Sequence, residues 1–143
     1  MSFDLKIKNK DLVIEGGDFK KITDVEKLTQ DILKIALTSV GSNPSHPWYG
    51  SYLSRSLIGS GLSTDIIYQF GQSQLQNCIE NLKSLQDMQV KNFQRVSADE
   101  QIGSILNIGI DRNISDPRLF NVSIKVATKG FKISSATFTI NTI

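Results

Sequence analysis

The residues of this sequence that could carry out chemistry are mainly carboxylates, and the reaction they would suit is glycoside hydrolysis. That reaction needs two Asp or Glu side chains facing each other across a cleft. The candidates are Glu15, Glu26, Glu80, Asp99 and Glu100. Glu26 is also placed to cap a helix, Glu80 falls on a polar helical face, and no aromatic-lined sugar groove is evident. The sequence therefore favours a protein that is not an enzyme, with a hydrolase as the alternative.

Other kinds of site lack the residues they require. One histidine, His46, and one cysteine, Cys78, far apart in the chain, cannot form a zinc site of His and Cys ligands. The glycines match neither a P-loop nor a dinucleotide fingerprint, and no nucleophile elbow accompanies His46. Cys78 lies within an amphipathic helical pattern, which predicts a buried thiol. We expect no catalytic residue, no cofactor and no metal.

The composition is that of a globular protein. A chain of 143 residues suits a single domain spanning residues 1–143, and its apolar and charged fractions are ordinary. The net charge is only +2, and the lysines are scattered, so a nucleic-acid partner is not expected. No apolar stretch approaches the roughly 20 residues that cross a bilayer. The N-terminus lacks a secretory pattern, which predicts synthesis in a cytoplasm and no membrane contact.

The N-terminal segment has the pattern of a β-hairpin. Phe3, Leu5 and Ile7 alternate with polar residues, as in a half-buried strand. A polar turn at 9–11 leads to a return strand at 12–14, and the glycines at 16–17 end it. No internal repeat is recognised in the chain.

Two or three helices follow. Thr23 and Glu26 are spaced as a capping box, and the apolar period predicts a helix from Asp24 to Val40. A short helix is indicated at 52–58, and a longer one runs from residue 63 or 64 to 88. Gly71 within the long helix predicts close packing of another backbone.

The last third of the chain has the alternation of three β-strands. Leu106, Ile108 and Ile110 share one face, and the even residues of 120–126 share another. In the final strand the apolar parity changes across residues 134–135, which predicts a β-bulge there. The predicted class is α+β: an N-terminal β-hairpin, two to three helices, and a C-terminal three-stranded antiparallel sheet packed by the helices.

The order of these elements carries a family resemblance. An Asp-Leu-x-Ile hairpin at 4–12 leads to Gly-Asp-Phe at 17–19, and a Gln-x-Ile-x-x-x-Leu-x-Thr pattern occupies 30–38. A loop ending Pro-Trp-Tyr-Gly-Ser at 47–51 follows, then a long helix, a short acidic segment and three strands. The chain resembles the gene-twenty-five-like small baseplate wedge, or sheath-initiator, family of contractile phage tails, with relatives in type VI secretion. The similarity spans nearly the whole chain.

Two segments depart from the family pattern. Gly-Ser-Asn at 41–43 stands where the family has Gly-Glu-Arg, and Asp-Glu-Gln-Ile at 99–102 stands where many members have Glu-Pro-Arg-Ile. The latter segment is associated with docking onto the core bundle of the wedge. Glutamine cannot replace the planar bidentate donor of arginine.

The resemblance implies a structural baseplate subunit of the virion tail, assembled in the host cytoplasm as part of a multi-copy ring. It would join the wedge and hub to the first sheath ring and initiate sheath assembly. Its partners would be other wedge proteins, the tail sheath protein, and tube or hub proteins. Members were once labelled lysozyme-like, which matches the alternative of a tail-associated peptidoglycan hydrolase.

Strand addition is the mechanism we expect for sheath initiation. An exposed sheet edge offers unpaired N–H and C=O groups to which an extended arm can add. A loop rich in aromatic residues and proline is the second expected interface, since Trp and Tyr are frequent hot spots. The predicted interface residues are Pro47, Trp48, Tyr49, Gly50, Asp99, Glu100, Gln101, Ile102, Phe120, Val122, Ile124, Phe138 and Ile140.

Overall fold

The computed structural model describes residues 2–53 and 63–141. Six two-residue strands come first: β1 (Asp4–Leu5), β2 (Ile7–Lys8), β3 (Asp11–Leu12), β4 (Ile14–Glu15), β5 (Asp18–Phe19) and β6 (Lys21–Ile22). They are followed by helices α1 (Asp24–Leu37) and α2 (Thr64–Lys91), a 3-10 turn (Ala98–Glu100), and strands β7 (Ile102–Arg112), β8 (Leu119–Thr128) and β9 (Ile133–Asn141). The predicted α+β class is confirmed.

The N-terminal strands form a closed triangle built from a seven-residue repeat, which the sequence analysis missed. The repeats begin at Asp4, Asp11 and Asp18, and each aspartate accepts a hydrogen bond from the next backbone N–H. β2 pairs with β3, β4 with β5, and β6 returns to β1. At the centre the backbones of Lys6, Val13 and Lys20 bond to one another in a ring of three hydrogen bonds of 2.8–3.0 Å. We call residues 4–22 the triangle module.

Helix α1 anchors this module through one buried glutamine. The Gln30 amide donates to Leu5 O and to Asp4, and its oxygen accepts from Ile7 N–H at 2.8 Å. Lys34 pairs with Asp4 at the same place. Burial raises the pKa of the Asp4 carboxyl, but the hydrogen bonds from Lys34 and Gln30 outweigh it, and the net pKa is lowered.

The start of α1 differs from the prediction. Thr23 is the N-cap residue, but its side chain makes no capping hydrogen bond, and Glu26 pairs with Lys6 of the triangle module instead. The predicted capping box is therefore wrong at this helix. A capping box does occur at the 3-10 turn, between Ser97 and Glu100.

Both helices also end at other residues than predicted. α1 ends at Leu37 and not at residue 40, because the next residues bridge to Ser51. α2 continues three residues beyond the predicted end. At Gly71 a Cβ would overlap the side chain of Ile110 on β7, so the close neighbour is a side chain and not a backbone. The predicted short helix at 52–58 lies mostly outside the described residues.

The C-terminal strands form one antiparallel sheet in the order β7–β8–β9. The predicted bulge at 134–135 is wrong, because β8 and β9 pair without a register shift. Ile133 is exposed at the start of β9, which accounts for the change of apolar parity. The register shifts lie in β7, between residues 102 and 104 and between 105 and 107. Both helices pack on one face of this sheet and enclose the core.

Candidate protein interface

Among the described residues, the outer edge of β9 is the part of the sheet that no other strand pairs with. The Thr128 N–H donates to Lys132 O at 2.8 Å, which makes this pair hydrogen-bonded and fixes the alternation along the β8–β9 ladder. The even residues of β9 therefore direct their backbone groups toward β8. Ser135, Thr137 and Thr139 direct theirs away from the sheet. Within residues 2–53 and 63–141, no strand pairs with β9 on that side.

The opposite edge, on β7, is occupied at several backbone groups by side chains of α2. Gln86 donates to Glu100 O at 2.9 Å and accepts from Ile102 N–H at 2.8 Å. Further along, Lys83 donates to Gly103 O at 3.1 Å and Gln72 donates to Ile108 O at 3.2 Å. A side chain that holds one of a strand's outward backbone groups competes with any added chain for that group. The two edges of this sheet are thus unequal.

The predicted strand residues fall into two groups. Phe120, Val122 and Ile124 are buried in the core, and they belong to β8, which has a neighbour on each side. An added strand could not reach them. Phe138 and Ile140 lie on β9, at the open edge, and Phe138 is half-buried. Only these two of the five predicted strand residues are placed to contact an added chain.

The loop before residue 51 is tied to the end of α1. Ser51 N–H donates to Thr38 O at 2.8 Å, and its hydroxyl donates to Ala36 O at 2.6 Å. Gly50 has φ 121°, and a Cβ there would overlap the Thr38 carbonyl. Glycine is therefore required by the backbone at this position. Its role in this structure is to hold the loop in place.

The aromatic residues of this loop differ in exposure. Trp48 is 37% exposed and makes edge-to-face contacts with His46 and Tyr49, at 5.6 and 6.2 Å between ring centroids. Tyr49 packs against the core, and this burial raises the pKa of its hydroxyl. Pro47 O accepts a hydrogen bond from Gly41 N–H. Of the four predicted loop residues, Trp48 offers the large apolar surface.

Segment 99–102 holds the 3-10 turn against the sheet. Glu100 is 1% exposed, and its Oε2 accepts from Ser97 N–H at 2.9 Å. Its Oε1 is buried with no partner among the described residues. Asp99 bonds to Lys132 at 2.8 Å, Lys129 reaches Gln101 at 2.9 Å, and Ile102 belongs to the core. These contacts fix the segment within the domain.

The carboxylates proposed for hydrolysis are dispersed. Glu15 pairs with Lys20 and Glu26 with Lys6, both within or beside the triangle module. Glu80 lines a groove of about 430 Å³ beside Trp48 and Tyr52. It is the single carboxylate among the described residues of that groove. Sequence reasoning missed the groove, because its aromatic and polar walls come from separate segments.

Cys78 is a buried thiol in the middle of α2. Burial raises the pKa of the Cys78 thiol to about 12, and its Sγ–H donates to Leu75 O. The predicted buried thiol is confirmed. Across residues 2–53 and 63–141, no three His, Cys, Asp or Glu side chains are placed to hold a metal ion. In the same residues, no helix is both long and apolar enough to cross a bilayer.

Exposed apolar side chains on the triangle module were also missed. Ile7 pairs across strands with Leu12, and Ile14 with Phe19, and all four are exposed. They occupy the second and fourth positions of the seven-residue repeat. A search for that period would have found them.

Two exposed phenylalanines stand where glycine is usual. Phe93 follows the end of α2 with φ 61°, and Phe131 lies in the β8–β9 turn with φ 63°. Both side chains are almost fully exposed. A bulky residue in this conformation costs about 1–3 kcal/mol. No sequence pattern singled out Phe93.

Comparison with known proteins gives a fold and no family. No family model matches this sequence, and no curated protein matches it. Among solved structures, the chain is similar to a protein of Geobacter sulfurreducens provisionally named a tail lysozyme, determined at 1.44 Å resolution. The two share 10% identity with a TM-score of 0.58, over 82% of this chain and 90% of the other. At this identity the likeness shows a shared α+β fold and leaves the chemistry open.

Proposed function

We propose that this protein is a structural subunit of a contractile phage tail baseplate, which starts the sheath by accepting an extended segment at the β9 edge. The observation that carries this proposal is that the backbone groups at the two sheet edges differ in whether side chains of the protein bond to them. Three side chains of α2 bond to backbone groups of β7, whereas Ser135, Thr137 and Thr139 direct their backbone groups outward. An open edge of this kind accepts a strand through main-chain hydrogen bonds.

Two further findings support a tail protein. The fold is that of a structure provisionally named a tail lysozyme, at low identity. The order of segments, from the hairpin to Pro-Trp-Tyr-Gly-Ser at 47–51, resembles the sheath-initiator family. On this proposal the protein resides in the tail baseplate of the virion and acts in a ring of copies. Its partners are wedge proteins, the sheath protein, and tube or hub proteins.

Trp48 is the second proposed contact. It is exposed at the side of the domain formed by the loop and α2, where it lines the 430 Å³ groove. Because its neighbours His46 and Tyr49 hold it edge-to-face, little side-chain freedom is lost on binding. Trp48→Ala is expected to weaken co-purification with wedge proteins and leave the melting temperature within a few degrees of the parent.

The test of strand addition is Thr139→Pro with Thr139→Val as its matched control. Proline removes the outward N–H of Thr139 and is tolerated on an edge strand, whereas valine keeps that N–H and a similar shape. Baseplates assembled with each folded variant are incubated with sheath protein, and tail lengths are measured by electron microscopy. The proline variant should fail to grow sheath and the valine variant should succeed. Tails of normal length on the proline variant would refute the role of the edge.

A peptidoglycan hydrolase remains the second candidate, because one carboxylate, Glu80, shares a groove with Trp48 and Tyr52. Glycosidases ordinarily need a second carboxylate, and Glu100 is buried elsewhere in the structure. The purified protein is therefore expected to release no muropeptides from peptidoglycan. Release that is lost in Glu80→Gln would favour the hydrolase over the scaffold.

A further inference from the structure

An apolar groove opens beside the outer edge of β9, the edge with which no strand of residues 2–53 and 63–141 pairs. It has a volume of about 230 Å³ and lies between the end of α1 and the last residues of β9. Ala36 and Leu37 line it from the helix, the residues from Phe138 to Asn141 line it from the strand, and Leu53 also lines it. Leu37 is 58% exposed although it faces this groove. The groove is large enough for one large apolar side chain and holds none from the described residues.

The groove lies where a side chain of an added strand would point. Phe138 and Ile140 share the inner face of the sheet with Ala136, on the side covered by α1. Their own backbone groups bond to β8, so each would oppose an incoming residue as a non-hydrogen-bonded pair. Side chains approach most closely in such pairs. The incoming residue opposite Phe138 would therefore lie against Phe138 and Leu37.

The other face of the same edge is polar. Thr137 and Thr139 project there, next to Asn121 and Ser123 of β8. Successive residues of a strand alternate between faces. An added strand would therefore place polar residues beside Thr137 and Thr139 on this face. The residue between those two in the added strand would point to the other face and enter the groove.

We propose that the β9 edge selects its partner by one side chain. The occupant is an extended segment of another protein with alternating character, which places a large aliphatic or aromatic residue opposite Phe138 and fills the groove of Ala36, Leu37, Leu53, Phe138 and Ile140. This inference rests on the strand addition of the proposed function and adds the chemistry of the segment. Backbone pairing supplies the attachment, and the groove sets which segment binds and in which register.

The test attaches a candidate strand to the full chain. A turn of Asn-Gly and a short Thr-rich strand are appended after residue 143, so that the strand can fold back antiparallel on β9. The residue opposite Phe138 is varied as Leu, Phe, Lys or Asp. Docking is measured by hydrogen exchange of the Thr137 and Thr139 amides, which an added strand would protect. Leu and Phe guests should increase protection over Asp by about tenfold or more, because they bury apolar surface.

Two leucine substitutions on the parent chain provide matched controls. Leu37→Asp places a charge at the mouth of the groove and should abolish the advantage of the Leu guest. Leu106→Asp makes the same change at a similarly exposed leucine (50%) on β7, the far edge of the sheet. It should leave the advantage unchanged.

The outcomes separate this inference from the proposed function. Equal protection with Leu and Asp guests would overturn the selective groove and leave strand addition intact. Absence of protection with every guest would overturn both the groove and the open edge. A clear preference for Leu and Phe would support the groove, even if sheath growth proved independent of Thr139.

Discussion

Replacing Gln86 by leucine tests whether α2 closes the β7 edge. Gln86 is buried, and both ends of its amide bond to backbone groups, Glu100 O and Ile102 N–H. Leucine has a similar size but satisfies neither group. Each orphaned buried group costs about 1–3 kcal/mol, and the apolar burial of leucine offsets roughly 1–2 kcal/mol of the sum. We expect the free energy of unfolding to fall by about 2–4 kcal/mol.

The assay is urea denaturation followed by circular dichroism, with Gln76→Leu as the control. Gln76 lies on the same helix but is exposed, so its replacement should change the free energy of unfolding by less than about 0.5 kcal/mol. Hydrogen exchange of the Ile102 amide should accelerate in Gln86→Leu alone. A loss below about 1 kcal/mol, with Ile102 still protected, would mean that Gln86 does not close this edge. The inequality on which the proposed function depends would then be unsupported.

Three further variants test other parts of the structure. Gly50→Ala should lower the free energy of unfolding by about 2 kcal/mol or more in urea melts, because φ 121° and the neighbouring carbonyl exclude a Cβ. Gly71→Ala should leave the free energy of unfolding nearly unchanged in the parent chain. In an Ile110→Val background, which lacks the overlapping methyl group, the same change should raise it by about 1 kcal/mol. A double-mutant cycle would measure the difference. The lowered pKa of Asp4 means that its pair with Lys34 stabilises above the ordinary value of 3.8 and is lost as the pH falls through the folded value. Asp4→Asn should remove this loss of folding stability at acid pH. The loss should be under about 1 kcal/mol, because both groups are partly exposed. Urea melts from pH 2 to 6 would measure it.

The fold class could be predicted because its long elements have clear periodicity. Burial in α2 follows a helical period through Ile67, Leu75, Cys78 and Leu82, and β8 alternates without interruption. The prediction was wrong where a side chain had two possible partners. Glu26 matches the capping pattern in the sequence, but in the folded chain its Oε1 lies 2.5 Å from Lys6 Nζ. An ion pair therefore replaces the cap.

The candidate interface was less predictable, because an open edge is defined by what does not cover it. Gln72 and Lys83 have the appearance of a solvated helical face, yet in the structure they bond to β7. Only the tertiary arrangement shows that α2 side chains reach the backbone of β7, whereas no described strand pairs with the outer edge of β9. Phe120 was predicted at an interface because strand alternation identifies a buried face without saying which strand is central.

The ring of hydrogen bonds among Lys6, Val13 and Lys20 joins the three repeats of the triangle module to one another. Each repeat pairs with both of the others, because the third repeat returns to the first. Deleting residues 2–8 would remove one of the two partners of each remaining repeat, together with the contacts that Gln30 makes to Leu5 and Ile7. The triangle module should behave as one cooperative opening unit, whose three central amides exchange at a common rate.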